Sequence, residues 1–166
     1  MSNSRQVPLM PKRHPTLIPL SQDHHHALAL ALRCRKQGLG QIKPMGAKGL
    51  RERATEFLGL YARELISHFR AEEEILFPRL RAQVPDSDQL IDELLRDHES
   101  IRRAIPKLEA GTSLGKLIFD LGDLLERHIR REERELFPLF EQHAELMNAE
   151  EIGEKINRIL SARLKE

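Results

Sequence analysis

Apolar residues recur three or four apart along most of the chain, the period of a helix with one buried face. No stretch of useful length alternates with the period of a strand. The clearest stripe is Leu50, Ala54, Phe57, Leu58, Tyr61, Leu65, Phe69, Ile75 and Leu76. It predicts a helix from about Ala47 to Phe77, kinked or ended by Pro78. Before it, a first helix is expected from an N-cap at Ser21 to about Gly38, where Gly38 and Gly40 stop it. Asp86 followed by Gln89 has capping-box spacing and opens a third helix, to about Ala110, bent late by Pro106. Thr112 or Ser113 caps a fourth helix reaching Phe137, again met by a proline, Pro138. Asn148 with Glu151 repeats the capping-box spacing and opens a fifth, with Ile152, Ile156, Ile159, Leu160 and Leu164 on one stripe. Pro8, Pro11, Pro15 and Pro19 make residues 1–19 read as an extended arm. The expected fold class is therefore all-α. An antiparallel up-down four-helix bundle over 20–146 follows the arm, and a C-terminal helix in 147–166 packs on the bundle or on a partner subunit, as in a homodimer.

Composition narrows the function. The chain has 166 residues with 27 basic against 26 acidic side chains, a net charge of +1. Arg and Glu interleave as on solvated helix faces, and aromatics are few, so neither a nucleic acid nor an anionic membrane is an expected partner. Cys34 is the lone cysteine, which excludes an intramolecular disulfide framework or a thiolate-rich metal site. The longest apolar run, Ala27 to Leu32, is far short of a membrane span, and prolines and basic residues interrupt any secretory apolar stretch near the start. A cytoplasmic location is the expectation.

Eight histidines change the picture. Residues 68–78 read HFRAEEEILFP and residues 128–138 read HIRREERELFP, identical at seven of eleven positions. Asp23-His24 and Asp97-His98 form a looser echo on the preceding helices. Duplicated packing explains Leu76-Phe77-Pro78 and Leu136-Phe137-Pro138. It does not explain His68 with Glu72, or His128 with Glu132. Each is an i, i+4 pair on one helix face, and each continues an apolar stripe, through Tyr61 and Leu65 or Leu121 and Leu125. A carboxylate buried without a partner is costly or becomes protonated, so two of them beside histidines call for a cation. In an up-down bundle, His24, His68, His98 and His128 gather toward one end. His24 shares a face with Leu20, Ala27 and Ala31, and His25 one with Leu28 and Leu32, so His25 is the alternative first ligand. Four imidazoles and two carboxylates can hold two metal ions, each with two His and both bridged by Glu72 and Glu132. Without thiolates, such a set favours a non-haem di-iron centre with bridging oxide or hydroxide, Mn or Zn being the alternatives.

The pattern of a His on the first helix, HFRAEEEILFP, Asp97-His98 and HIRREERELFP resembles the hemerythrin-like, HHE cation-binding domain over about residues 17–141. The resemblance implies a four-helix bundle with a di-iron centre, ligands His24, His68, Glu72, His98, His128 and Glu132, and a small diatomic partner such as O2 or NO. Two departures stand out. Oxygen carriers of the family have a fifth histidine where this chain has Arg102, and Glu132 lies four residues after His128 where they have Asp at five. The set is closer to branches that repair iron centres or sense iron and oxygen. Three functions are compatible with the chain: a protein that binds or senses O2 or NO or handles iron; an oxidase, or a peroxide- or NO-consuming enzyme, at the same centre; and a metal-independent helical interaction module.

Several neighbours have expected supporting roles. Asp97 and Asp23 are expected to orient His98 and His24, while Glu73 and Glu133 are either solvated or partners of a ligand's second ring nitrogen. Glu64 is an inward proton carrier or a surface-edge charge. Tyr61 is a redox-active phenol or a core residue. His14 and His143 are expected at the surface, and Cys34 in the core.

Overall fold

A computed structural model describes residues 12–163. Among the described residues the regular elements are all helical, with five helices: α1 (Ile18–Gly38), α2 (46–83), α3 (Asp88–Ala110), α4 (114–142) and α5 (Ala149–Ala162). Short 3-10 turns at Pro15–Leu17, Pro85–Ser87 and Ala144–Leu146 lead into α1, α3 and α5. No described helix is long and apolar enough to cross a membrane.

The first helix starts earlier than Ser21. The imidazole of His14 accepts the Thr16 N–H at 3.1 Å and caps the Pro15–Leu17 turn, which runs directly into α1. Pro15 and Pro19 fall in first-turn positions, where a missing N–H removes no helical bond. Residues 15–19 are thus helical rather than an extended arm, while Pro8, Pro11 and the rest of 1–11 lie outside the described residues. The expected capping boxes do not form. Asp86 sits in the 3-10 turn and Gln89 donates to Glu93. Ser113 and Asn148 take left-handed N-cap conformations without capping the backbone, and the Asn148 amide donates to the Glu151 side chain instead.

The prolines do not end α2 and α4. Each helix widens into a π turn one turn earlier, at Glu72–Leu76 and Glu132–Leu136, and the Phe77 and Phe137 N–H groups reach back five residues to the Glu72 and Glu132 carbonyls. The wider turn makes room for the proline ring, which would otherwise collide with the carbonyl four residues back. Both helices then continue, to Gln83 and Gln142.

This continuation decides where the core sits. One apolar cluster packs the late parts of α2 and α4 (Leu76, Phe77, Leu80, Leu136, Phe137, Phe140) against Leu17, Leu20, Leu94 and the α5 face of Ile152, Ile156 and Leu160. The C-terminal helix therefore buries its stripe within its own chain; Leu164 lies outside the described residues. A second cluster packs Ala27, Leu30, Cys34, Phe57, Leu65, Phe69, Ile101, Leu121, Leu125 and Ile129. Helices α1 and α4 approach closely where Gly122 faces Ala31 and where Gly38 faces Phe119: a Cβ on Gly122 would stand 2.6 Å from the Ala31 carbonyl oxygen, and one on Gly38 2.6 Å from the Phe119 Cβ. Side-chain pairs run in opposite senses along α1 and α2 (Asp23 with His68, Arg33 with Glu56), α2 and α3 (Glu73 with Arg102, Arg81 with Asp92), and α3 and α4 (Glu93 with Arg131, Asp97 with His128).

Candidate metal centre

Between the two apolar clusters lies a polar layer. His24 comes from α1, His68 and Glu72 from α2, His98 from α3, and His128 and Glu132 from α4. All six are buried, at 5 % exposure for His24 and 0–1 % for the others. The site is not at an open bundle end: Phe77 and Phe137, just before the prolines, stack on His98 and His24, and the continuing helices add Leu80 and Phe140 to the apolar cluster around them.

The six side chains form two groups of four, His24, His68, Glu72, Glu132 and Glu72, His98, His128, Glu132. Within each group the candidate ligand atoms all lie within 4.8 Å of one another. The two carboxylates belong to both groups. Nε2 of His24 stands 3.0 Å from Glu132 Oε2, and Nε2 of His128 stands 3.0 Å from Glu132 Oε1. Nε2 of His68 and of His98 stand 3.2 and 3.4 Å from Glu72 Oε1. None of these approaches has hydrogen-bonding orientation, so four ring nitrogens and four carboxylate oxygens are buried without a partner. Buried polar atoms are nearly always satisfied, and eight orphans in one layer need an explanation. Donors about 2.1 Å from a common ion and roughly at right angles stand about 3 Å apart. The residues present therefore fit two cations that share Glu72 and Glu132.

The opposite ring nitrogens explain how the histidines are held. Each Nδ1–H donates to a carboxylate on a neighbouring helix: His68 to Asp23 at 3.0 Å, His128 to Asp97 at 3.1 Å, His98 to Glu73 at 3.3 Å and His24 to Glu133 at 2.6 Å. This fixes the tautomer with the Nε2 lone pair aimed inward, and raises its basicity. Asp23 and Asp97 thus do not orient the histidines that follow them in sequence. Consecutive helical residues point about 100° apart, so Asp23 faces α2 while His24 faces the interior. Glu73 and Glu133 both take the partner role. Arginines stand behind three of the four carboxylates. Arg102, in the position of the family's fifth histidine, holds Glu73 at 2.9 and 2.5 Å. Arg13 holds Glu133 at 2.9 Å, beside the Ser21 hydroxyl at 2.7 Å. Arg163 holds Asp23 at 2.7 Å. Nothing in the chain's repeat pointed to Arg13, Ser21 or Arg163.

Electrostatics in the cation-free protein follow this geometry. Burial opposes a charge on His128, but the Glu132 carboxylate and the bond to Asp97 carry its pKa up to about 10. His68 is likewise held well above the usual imidazole range, against burial, by Glu72 and Asp23. Burial would raise Glu132, yet His128, His24 and His68 keep its carboxyl well below the usual range. Burial would raise Glu73 too, but His98 and Arg102 bring it to about 2. Protons on imidazoles thus stand in for the cations.

The other expected residues fall outside this layer. His25 is exposed. Glu64 sits at the edge, its Oε1 3.0 Å from the Nδ1 of the exposed His26. Tyr61 packs half-buried against the second apolar cluster. Cys34 is buried, its thiol pushed up to about 12 by desolvation. His14 stands edge-on to Phe140, and the Nδ1–H of His143 donates to the Leu139 carbonyl, so both are half-buried rather than free at the surface. A cavity of about 10 Å³, the room of one water-sized sphere, touches His24, His68 and His128 among Ala27, Leu65 and Leu125. His98 is stacked on Phe69 at 3.8 Å and on Phe77 at 5.8 Å between ring centroids.

Comparison with known proteins agrees with this layer. A protein named as a DNA nickase from Nostoc sp. (strain PCC 7120 / SAG 25.82 / UTEX 2576) is 28% identical over 90 residues, covering 52% of this chain and 25% of that protein. The chain thus spans about a quarter of the length of that curated relative. No solved structure matches. Residues 17–140, which carry all six converging side chains, match the hemerythrin HHE cation-binding domain, and the chain belongs to that family.

Proposed function

We propose that the protein is a non-haem di-iron protein, which binds or senses O2 or NO or handles iron through His24, His68, Glu72, His98, His128 and Glu132. Glu72 and Glu132 would be shared by both irons, His24 and His68 would help hold one, and His98 and His128 the other. The observation that carries this reading is the pair of four-residue groups sharing two carboxylates, with eight buried donor atoms unpartnered. The opposite senses of the side-chain pairs support the up-down four-helix arrangement such a centre uses. The mixture of imidazole and carboxylate without thiolate supports iron, with Mn or Zn as the alternatives.

Two bound irons would supply a redox-active pair able to take a small ligand at a free coordination position. The chain's own residues do the rest. The four Nδ1–H donors to Asp23, Glu73, Asp97 and Glu133 hold the rings in place. Phe69, Phe77 and Phe137 keep water from the layer. The small cavity beside His24, His68 and His128 has room for about one water-sized molecule next to the layer.

The test is metal analysis with Mössbauer and electronic spectra of protein loaded anaerobically with Fe(II), before and after exposure to air. Two coupled irons per chain are expected. One reversible spectral change with O2 or NO fits binding or sensing, whereas repeated turnover with O2, NO or peroxide fits the oxidase or peroxide- or NO-consuming enzyme. Well under one metal ion per chain, with no gain in thermal stability on adding Fe(II), leaves only the metal-independent helical module, because a ligand that binds the native state must stabilise it.

A further inference from the structure

The family match covers residues 17–140, and two of the three arginines behind the imidazole–carboxylate pairs lie outside it, Arg13 before and Arg163 after. Both serve the same half of the centre. Arg13 reaches Glu133, the partner of His24, and Arg163 reaches Asp23, the partner of His68. Arg163 makes the more specific contact. Its Nη2 donates to Asp23 Oδ1 at 2.7 Å, and its Nη1 donates to Oδ2 at 3.1 Å and to the Ser67 hydroxyl at 3.1 Å. Asp23 Oδ2 is the oxygen that accepts from His68 Nδ1. The aspartate side chain is 4 % exposed, so its negative charge is buried and needs both partners. The pseudo-equivalent pair, Asp97 with His128, has no arginine behind it among the described residues, and Asp97 is 23 % exposed.

We propose that Arg163, at the end of α5, is a positioning residue for the metal position built by His24 and His68. It holds Asp23, Asp23 holds His68, and the docking of the C-terminal helix is thereby linked to occupancy of that one position. The inference rests on the di-metal reading above. A forked guanidinium on a carboxylate fixes direction as well as charge, so Asp23 cannot rotate away and the His68 ring stays aimed at Glu72. By reciprocity, an ion bound at His68 favours the docked α5.

The experiment compares the full chain with Arg163→Met, Arg163→Lys, Asp23→Asn and the double variant Arg163→Met/Asp23→Asn. Each is loaded with Co(II), which shifts the proton resonances of ligand imidazoles, and titrated against a chelator. Wild type is expected to bind two ions and show four shifted, solvent-exchangeable Nδ1–H resonances. Arg163→Met is expected to weaken one ion about tenfold, the low end of what a partner of a ligand contributes, and to speed exchange of one of the four resonances. Arg163→Lys keeps the charge without the fork and should recover part of the loss. The effects of Arg163→Met and Asp23→Asn should be non-additive, whereas Arg163→Met combined with Asp97→Asn should be additive. Unchanged affinity and exchange in Arg163→Met overturns the proposal. So does equal weakening of both ions with a fall in the apo-protein's melting temperature, the mark of a purely structural helix contact. A wild type that binds no ion fails one level earlier, overturning the di-metal reading and this inference with it.

Discussion

The two halves of the molecule, α1 with α2 and α3 with α4, carry nearly the same sequence block and use it differently. Both place His, Glu and a π turn in the same order, and both donate an imidazole Nδ1–H to an aspartate on the preceding helix. Around this shared frame the halves diverge. In the first half Asp23 is buried under Arg163, and α2 has an extra π turn at Tyr61–Leu65, beside the Glu64 carbonyl and Ser67 hydroxyl that Arg163 also meets. In the second half Asp97 is partly exposed and unclamped, and α4 stays α-helical over the corresponding residues 121–125. A small cavity touches both histidines of the first group but only His128 of the second, His98 being stacked between Phe69 and Phe77. The repeated blocks thus place equivalent His and Glu side chains in the layer, and contacts from outside the blocks make the two groups of four unequal.

The comparison breaks most completely if the bridges are removed. Glu72→Gln or Glu132→Gln is expected to reduce occupancy at both positions, since each carboxylate serves both groups, while the apo-protein keeps its fold. Metal analysis and circular dichroism check this, and retention of two ions would remove the bridging role. Next in size, Asp23→Asn and Asp97→Asn should each weaken binding by about 10–100-fold. The loss should be greater for Asp23, which also leaves Arg163 without its buried partner; chelator competition ranks the two.

Changing pH acts on both halves together. In the apo-protein His128 is held up to about 10, so its contribution to stability is fully present below its ordinary value near 6.5 and is lost as pH rises through about 10. Metal binding must expel such protons, so apparent affinity should fall as the medium is acidified. Apo-protein melting temperature and metal affinity should therefore move in opposite directions between pH 7 and 10 (about the span over which His128 titrates). The smallest effect is expected from His25→Ala. That side chain is exposed, so stability should stay within about 0.5 kcal/mol and occupancy should remain at two ions, whereas His24→Ala should lose affinity.

Much of this was legible in the chain. The i, i+4 pairs His68 with Glu72 and His128 with Glu132 placed both carboxylates on buried faces, whereas the faces of His24 and His25 left either as the first ligand, and only the fold shows His24 inward and His25 exposed. The position of Asp23 and Asp97 was readable as well, had neighbouring residues on a helix been treated as facing different helices. Two further features were not readable. Pro78 and Pro138 are ordinary helix stops by local rules, and only the packing of Leu76, Phe77, Leu136 and Phe137 against α5 rewards continuing through a π turn. Arg163 lies 140 positions from Asp23, and nothing in a solvated, Arg-rich helix end distinguishes it from its neighbours until the tertiary fold brings the two together.

The polar layer lies between two oily plugs, one above and one below. On the di-metal reading, ions on such a shelf would be closed off from both ends of the bundle, and the flank where a surface hollow between Arg13, Ser21 and Glu133 reaches His24 would be their way in and out.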